Sequence, residues 1–261
     1  MVKKMANDMS APTAVAARKK IVILAAGKGK RMKIELPKVL AKLKGRPIIE
    51  YLVESCLASD VDPSPIIVVS PDNKKIISRA LARYNCQYAI QSEQLGTGHA
   101  LACARSLIDK SVKQIICLYG DQPFISSETI RKLAASHNGV ITMMTVKVRD
   151  FNDWRKCFNG WGRIIRGEDG QIKENIEYRD ASNEVREVKE VNPSLYCFAA
   201  DWLWENLKKI DNHNAQGEYY LTDLVKIAFE QKVKINSFSL DPKETIGINS
   251  QEELAAAESL I

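Results

Sequence analysis

Histidine is scarce in this sequence, with three in 261 residues, and none stands in a motif with a carboxylate. A catalytic relay built on histidine is therefore not expected. The six cysteines, at positions 56, 86, 103, 117, 157 and 197, form no CxxC pair, and several sit inside apolar runs. That pattern argues against a zinc site or a disulfide framework and for reduced core thiols in a cytoplasmic protein. No apolar stretch approaches the roughly 18 residues of a membrane span. The first twenty residues lack the apolar core of a secretory signal, and they are too poor in arginine and serine for a transit peptide. No internal repeat and no hexapeptide periodicity occurs. The net charge of +6 suggests nucleic acid until it is located. Lys3, Lys4, Arg18, Lys19 and Lys20 against Asp8 put +4 in the first twenty residues and leave +2 for the rest. A basic face with interleaved aromatics is missing, so neither nucleic acid nor membrane insertion is expected. Residues 1–19 are expected to form a basic disordered tail, and 20–261 a single domain with halves at 20–150 and 151–261.

What is present begins with "IVILAAGKGKRM", Ile21 to Met32. A short β-branched run reads as a strand buried on both faces. Gly27 and Gly29 can adopt φ > 0 and let the backbone approach a ligand, while Lys28, Lys30 and Arg31 bring positive charge to free N–H groups. A polyphosphate suits such a loop. It is neither of the two familiar phosphate loops. The dinucleotide fingerprint needs glycine where Met32 stands, and a Walker loop needs Ser or Thr after Gly29-Lys30. Pro37 holds Leu36 extended, so the loop runs on irregularly to Lys38 before a helical pattern begins.

Periodicity then gives an amphipathic helix from Pro47, a buried strand "PIIVVS", a helix over 73–84 and a short strand over 87–90. A glycine-opened helix "GTGHALACARSLI" and a buried strand "QIICLYGD" follow. This alternation predicts an open, mainly parallel, helix-covered sheet. Beyond residue 160 come strand-like runs "GRIIR", "QIKENIEY" and "EVREVKEVNPSLYCF", two helical stretches, a strand "VKINSFSL" and a helix from Gln251. The second half is expected to fold over the carboxyl ends of the first half's strands, where α/β sheets bind ligands.

The stretches "LAAGKGKRM…LPKVL", "QSEQLGTGHA", "LYGDQP", "GWGRII", "IEYRDAS", "EVN", "NAQGEYYLTD" and "IGIN" stand in one order from about Lys20 to near the end. In that order and spacing the chain resembles the sugar-nucleotide pyrophosphorylases, and among them the uridylyltransferase domains of bacterial N-acetylglucosamine-1-phosphate uridylyltransferases. The resemblance implies an α/β fold of the nucleotide-diphosphosugar transferase (GT-A-like) type, an α/β/α sandwich around a mixed, mainly parallel sheet. It implies a Mg²⁺-dependent reaction of UTP with a sugar-1-phosphate that yields a UDP-sugar, a cell-envelope precursor, and pyrophosphate. The phosphate nucleophile is already an anion, since its second pKa is near ~6, so catalysis needs positioning and charge cancellation rather than a general base.

The resemblance also assigns residues. The nucleotide would lie on Leu24, Ala25, Ala26, Gly27 and Lys38, with Tyr119 and Gly120 beside it. Gln91, Gln94, Gly96 and Thr97 would form the base pocket, and His99 would be structural. Arg31, Lys38 and Asp121 would be catalytic, Asp121 and Asn249 would hold Mg²⁺, and Gly162, Glu177, Asn192, Tyr220 and Thr222 would line the sugar side. Residue type alone leaves competing readings open. Asp121 could be a turn cap, Asn249 a helix cap, and Tyr220 a core residue. A glutamine amide can face uracil or, turned over, cytosine. Lys30 and Trp161 stand where the family has Thr and Tyr, the former bearing on the grip on the triphosphate, and Pro193-Ser194 replaces the family's Thr-Gly, which bears on the choice of sugar. A related cytidylyltransferase and a non-catalytic nucleotide-binding regulator are the alternatives. An acetyltransferase β-helix is not expected within this sequence.

Overall fold

The first apolar run forms strand β1 (Arg18–Leu24), buried from Lys20 onward. The computed structural model describes residues 17–27, 29–32 and 36–259. After β1 come a hairpin of β2 (Lys42–Leu43) and β3 (Arg46–Pro47), α1 (Ile48–Ala58), β4 (Ile66–Val69), α2 (Pro71–Ala80), β5 (Gln87–Ile90) and α3 (Thr97–Cys103). Then follow β6 (Val112–Tyr119), α4 (Ser127–Ala135), β7 (Ile141–Lys147), β8 (Arg163–Arg166), β9 (Ile172–Ile176) and the one-turn α5 (Asn183–Arg186). The remainder is β10 (Glu190–Val191), β11 (Tyr196–Ala199), α6 (Ala200–Asn206), α7 (Asp223–Glu230), β12 (Ile235–Leu240) and α8 (Gln251–Glu258).

Ten strands make one mixed sheet in the order β5-β4-β1-β6-β11-β7-β10-β8-β9, with β12 along β7. Parallel pairing joins β1 to β4 and β6, β4 to β5, and β12 to β7. Strand β11 enters antiparallel between β6 and β7 and fuses the two halves into one sheet. Alternate residues of β1 feed two layers. Ile21 and Ile23 pack in the core that holds Ile48, Leu52 and Ile130, whereas Val22 and Leu24 join the core of Leu101, Leu203 and Leu224. The result is the expected α/β/α sandwich. The chain goes from β1 to β4 on one side and returns to β6 on the other, so the switch point lies at the carboxyl ends of β1 and β6.

Local departures from the sequence expectations have local causes. Strand β1 starts at Arg18, which pairs with Val112, so Arg18 and Lys19 belong to the sheet and not to the predicted tail; residues 1–16 lie outside the described residues. Helix α2 occupies 71–80 rather than 73–84, because Ser70 caps it by accepting from the Asn73 N–H and Pro71 fits its first turn. The run from Glu184 to Phe198 is not one strand. Ser182 caps α5 through the Val185 N–H, and the ladder breaks between β10 and β11 at Pro193, which has no donor.

One buried ion pair anchors β1. Lys20 Nζ reaches Asp62 Oδ1 at 3.2 Å, and the second Asp62 oxygen accepts from the Ile21 N–H at 2.8 Å. Asp62 is 2% exposed and Lys20 9%. Removing one partner strands the other charge, together with a strand N–H. Asp62→Ala is therefore expected to lower stability by about 3–5 kcal/mol, measured as a shift of the urea midpoint at unchanged m-value. A loss under about 1 kcal/mol would show that the pair does not anchor the strand.

Candidate active site

Beyond the carboxyl ends of β1 and β6 lies a cleft of about 520 Å³, lined among others by Leu24 to Gly27, Lys38, Gln91, Thr97 and Asp121. The loop after β1 is fixed by backbone bonds, with the Ala25 N–H on Val68 O at 2.8 Å and the Gly120 N–H on Leu24 O at 3.0 Å. Gly29 takes φ +57°, and a Cβ there would stand 2.7 Å from Lys38 Cβ; this glycine lets Lys38 pack inward. Gly27 does not need a positive φ. Lys28 and the side chain of Lys30 lie outside the described residues.

Lys38 leads its ammonium to two oxygens at once, Asp121 Oδ2 at 2.6 Å and Asn249 Oδ1 at 2.7 Å. The Ile248 N–H on Asp121 O at 2.9 Å ties the two carriers together. The helix-cap alternative for Asn249 fails, because Ser250 caps α8 by accepting from the Glu253 N–H. Asn249 is the residue before the cap, with its side chain turned to the Lys38 ammonium. Its own N–H donates to Glu253 Oε2 at 2.5 Å. Arg31 is exposed near the same corner, where its charge pulls the Glu253 pKa down against a rise from burial. No group of three His, Cys, Asp or Glu side chains gathers for a metal among the described residues. The carboxylate and amide oxygens that converge on the ammonium fit a hard cation that completes its shell with water and phosphate oxygens.

At the predicted base pocket, Gln91 is 3% exposed and its Nε2 faces Gly96 O at 3.1 Å and His99 Nδ1 at 3.2 Å. A carbonyl can only accept, so the amide cannot turn over, and Oε1 is the group left for a ligand. His99, in the first turn of α3, braces the Gln91 amide through Nδ1. Gln94 Nε2 donates to Ala26 O at 3.3 Å. Gly96 takes φ +115°, and a Cβ would lie 2.6 Å from the Tyr219 N and O atoms. Thr97 is drawn into the wall, with its Oγ1 accepting from the Leu221 N–H at 2.9 Å.

Four of the predicted sugar-side residues, Gly162, Glu177, Asn192 and Thr222, are linked in one chain of contacts through Asn175, and Tyr220 stands apart from it. The Asn192 N–H donates to Gly162 O at 3.0 Å. Gly162 lies against the Asn175 amide, where a Cβ would meet Oδ1 at 2.5 Å. Asn175 Nδ2 donates to Glu177 Oε1 at 3.1 Å, and Thr222 Oγ1 donates to the same oxygen at 2.9 Å. Burial pushes the Glu177 carboxyl upward, and these two donors work against that rise. Asn192 is buried with both amide ends engaged, Nδ2 on the Tyr196 hydroxyl and Oδ1 on the Ser194 N–H. Tyr220 is core-packed at 6% exposure, bonds Gln216 through its hydroxyl, and has its phenol pushed up to about 12, mainly by burial. Ser194, where the family pattern has glycine, holds φ +61°, a conformation that costs a non-glycine residue on the order of 1 kcal/mol or more. Its hydroxyl meets the Tyr119 phenol, which also bonds Thr97.

Several contributors escaped the sequence reading. Arg179, Gln216 and Glu218 line the cleft from the second half; they lie within the stretches "IEYRDAS" and "NAQGEYYLTD" but were given no role. Buried Arg163 donates to the carbonyls of Asn159, Trp161 and Arg186, which sets the loop carrying Gly162. Asn175, the next-to-last residue of β9, sits two residues before Glu177, which follows the strand's end. A second cleft of about 630 Å³, lined by Glu177, Tyr220, Asp180, Asp211 and Asp223, adjoins it.

A family model for the MobA-like NTP transferase domain matches residues 21–217. The bifunctional protein GlmU of Clostridium novyi (strain NT) is 38% identical over 246 residues, covering 93% of this chain and 52% of that protein. GlmU of Desulfotalea psychrophila is 36% identical over 242 residues, covering 91% of this chain and 69% of that one. The chain spans about half the length of most of these curated relatives. Among solved structures, 4-diphosphocytidyl-2C-methyl-D-erythritolsynthase from Anaerococcus prevotii superposes with TM-score 0.66 at 17% identity, over 94% of this chain and 99% of that one. This last likeness is one of fold.

The second cleft carries a pH signature. Burial first, then the charges of Asp211 and Glu177, push Asp223 up to about 6. Its unfolded value is near 3.9, so between about pH 4 and 6 the folded state holds the extra proton and stability falls as pH rises. The fall is at most about 3 kcal/mol. Asp223→Asn is expected to remove it, read as the difference between the two proteins' urea stabilities at pH 4 and pH 7. A pH-independent difference would refute the shift.

Proposed function

Because the chain belongs to the MobA-like NTP transferase family, we propose that it is a Mg²⁺-dependent uridylyltransferase acting on UTP and N-acetylglucosamine-1-phosphate. The products are UDP-N-acetylglucosamine, a cell-envelope precursor, and pyrophosphate, and the setting is the cytoplasm. No helix among the described residues is long and apolar enough to cross a membrane. The observation that carries this reading is the Lys38 ammonium held between Asp121 Oδ2 and Asn249 Oδ1 at the mouth of the glycine loop. It brings one cation and two hard oxygen donors from three separate parts of the chain to one point beside a nucleotide-sized cleft.

In this reaction a phosphate oxygen of the sugar-1-phosphate attacks the α-phosphorus of UTP. The bond from that phosphorus to the bridging oxygen breaks, and its electron pair leaves with pyrophosphate. Leu24 to Gly27 would hold the nucleotide through backbone groups, with Tyr119 and Gly120 closing the floor. Asp121 and Asn249 would hold Mg²⁺, which supplies charge neutralisation on the phosphates when bound. The same two oxygens cannot serve ammonium and metal together, so Lys38 would then donate to the departing phosphates with Arg31 beside it. Glu177 would accept from sugar hydroxyls, with Gly162, Asn192, Thr222 and Tyr220 shaping its surroundings. Uridine is favoured by Gln91, whose fixed amide offers an acceptor. Uracil presents N3–H to an acceptor, whereas cytosine has a bare ring nitrogen there. The GlmU relatives at 38% identity support the same substrates.

Asp121→Asn is expected to lower pyrophosphate release at saturating Mg²⁺ by at least about 100-fold while thermal unfolding stays cooperative. Lys38→Ala is expected to lower kcat more than it raises the KM for UTP, because charge builds on the leaving group in the transition state. The wild-type chain should prefer UTP over CTP by at least about tenfold in kcat/KM, one to three kcal/mol being within reach of such a pocket. CTP equal to or better than UTP would replace the base assignment. Release near wild-type rates by Asp121→Asn would remove Asp121 from the mechanism.

A further inference from the structure

Asn175 is an expensive choice for its position if packing is all it does. It is 6% exposed, the next-to-last residue of β9, opposite Ile164 on β8. Its Oδ1 is buried without a hydrogen-bond partner among the described residues. Leucine has nearly the same shape and would leave no polar atom stranded, so close packing alone would not select asparagine. What asparagine adds is the other end of its amide, whose Nδ2 donates to Glu177 Oε1 at 3.1 Å. Turning the amide over would set Oδ1 against the carboxylate, so Glu177 fixes the orientation that strands Oδ1.

Thr222 makes a parallel choice. It stands at the N-cap position of α7, yet its side chain caps nothing. Its hydroxyl donates to Glu177 Oε1 at 2.9 Å instead. Two elements thus each forgo an ordinary local hydrogen bond, and both donate to one oxygen of one carboxylate. Glu177 Oε2 takes no hydrogen bond from the described residues. Gly162 belongs to the same device, since any Cβ there would drive into the Asn175 amide at 2.5–3.0 Å.

We propose that Asn175 is a positioning residue: by clamping Glu177 Oε1 from β9 while Thr222 does so from α7, it aims Oε2 at the hydroxyl groups of the acceptor sugar. The assignment rests on the uridylyltransferase reading given above. Burial raises the Glu177 pKa against the pull of both donors, which agrees with a carboxylate that needs them in order to stay an acceptor.

The test uses the full chain and initial rates of pyrophosphate release with UTP and N-acetylglucosamine-1-phosphate. Asn175→Leu should raise the KM for the sugar phosphate about tenfold, leave the KM for UTP within twofold, and unfold no earlier than wild type. Asn175→Asp, which keeps the shape and loses the donor, should show the same split, and it carries the test if the leucine variant does not fold. In a Glu177→Gln background neither change at 175 should raise the sugar KM further, because the residue acts through Glu177. Equal shifts in both KM values, an unchanged sugar KM, or an undiminished effect in the Glu177→Gln background would each overturn the proposal while leaving the uridylyltransferase reading intact. A wild-type chain that releases no pyrophosphate with any sugar-1-phosphate would overturn both.

Discussion

The site depends on one ammonium group. Lys38 Nζ, within 2.7 Å of oxygens from Asp121 and Asn249, is where the glycine loop, the end of β6 and the approach to α8 meet. A cation there offsets the cost of holding a carboxylate at 7% exposure, and it keeps two donors aimed at one point. Its own placement traces back to Gly29, whose missing Cβ leaves room for the lysine stem. The sheet supplies the rigid part of this arrangement, since β1 and β6 are hydrogen-bonded along their length.

The two sides of the cleft solve different electrostatic problems. On the side of the glycine loop, Lys38 holds the one carboxylate at its tip, that of Asp121. On the second side, Glu177, Asp180, Asp211 and Asp223 crowd together, and burial with mutual repulsion raises Glu177 and Asp223. A polar neutral ligand such as a sugar suits that surface better than another phosphate would. In the proposed reaction the single phosphate of a sugar-1-phosphate would point back toward Lys38 and Arg31, which would set the direction of in-line attack.

Two departures from the family pattern, Pro193 and Ser194, fall between β10 and β11. Ser194 keeps the left-handed backbone that glycine adopts without strain, and its hydroxyl joins the Tyr119 and Thr97 pair. Pro193 has its carbonyl fixed by Gln122 Nε2 at 2.7 Å. The chain therefore preserves the turn by other contacts, while the wall of the proposed sugar site changes in chemistry rather than in course.

Elements with strong periodicity or plain punctuation were readable from the residues themselves. The apolar run at Ile21, the proline-started α1, the strand ending at Asp121 and the late helix at Gln251 each announce themselves within a few residues, because burial on both faces or on one stripe leaves its mark in local order. The motif residues of the loop were readable for the same reason. The stretch from Glu184 to Phe198 was not, since its alternation survives a helical turn, a two-residue strand and a proline break that only neighbouring strands impose. Neither was the partnership of Lys38 with Asn249, which lies 211 positions away, nor that of Thr222 with Asn175 on Glu177. Sequence determined which groups the chain brings. Tertiary structure decided which way each amide faces and which oxygens share a cation, because hydrogen-bond direction is set by partners distant in the chain and no local pattern records them.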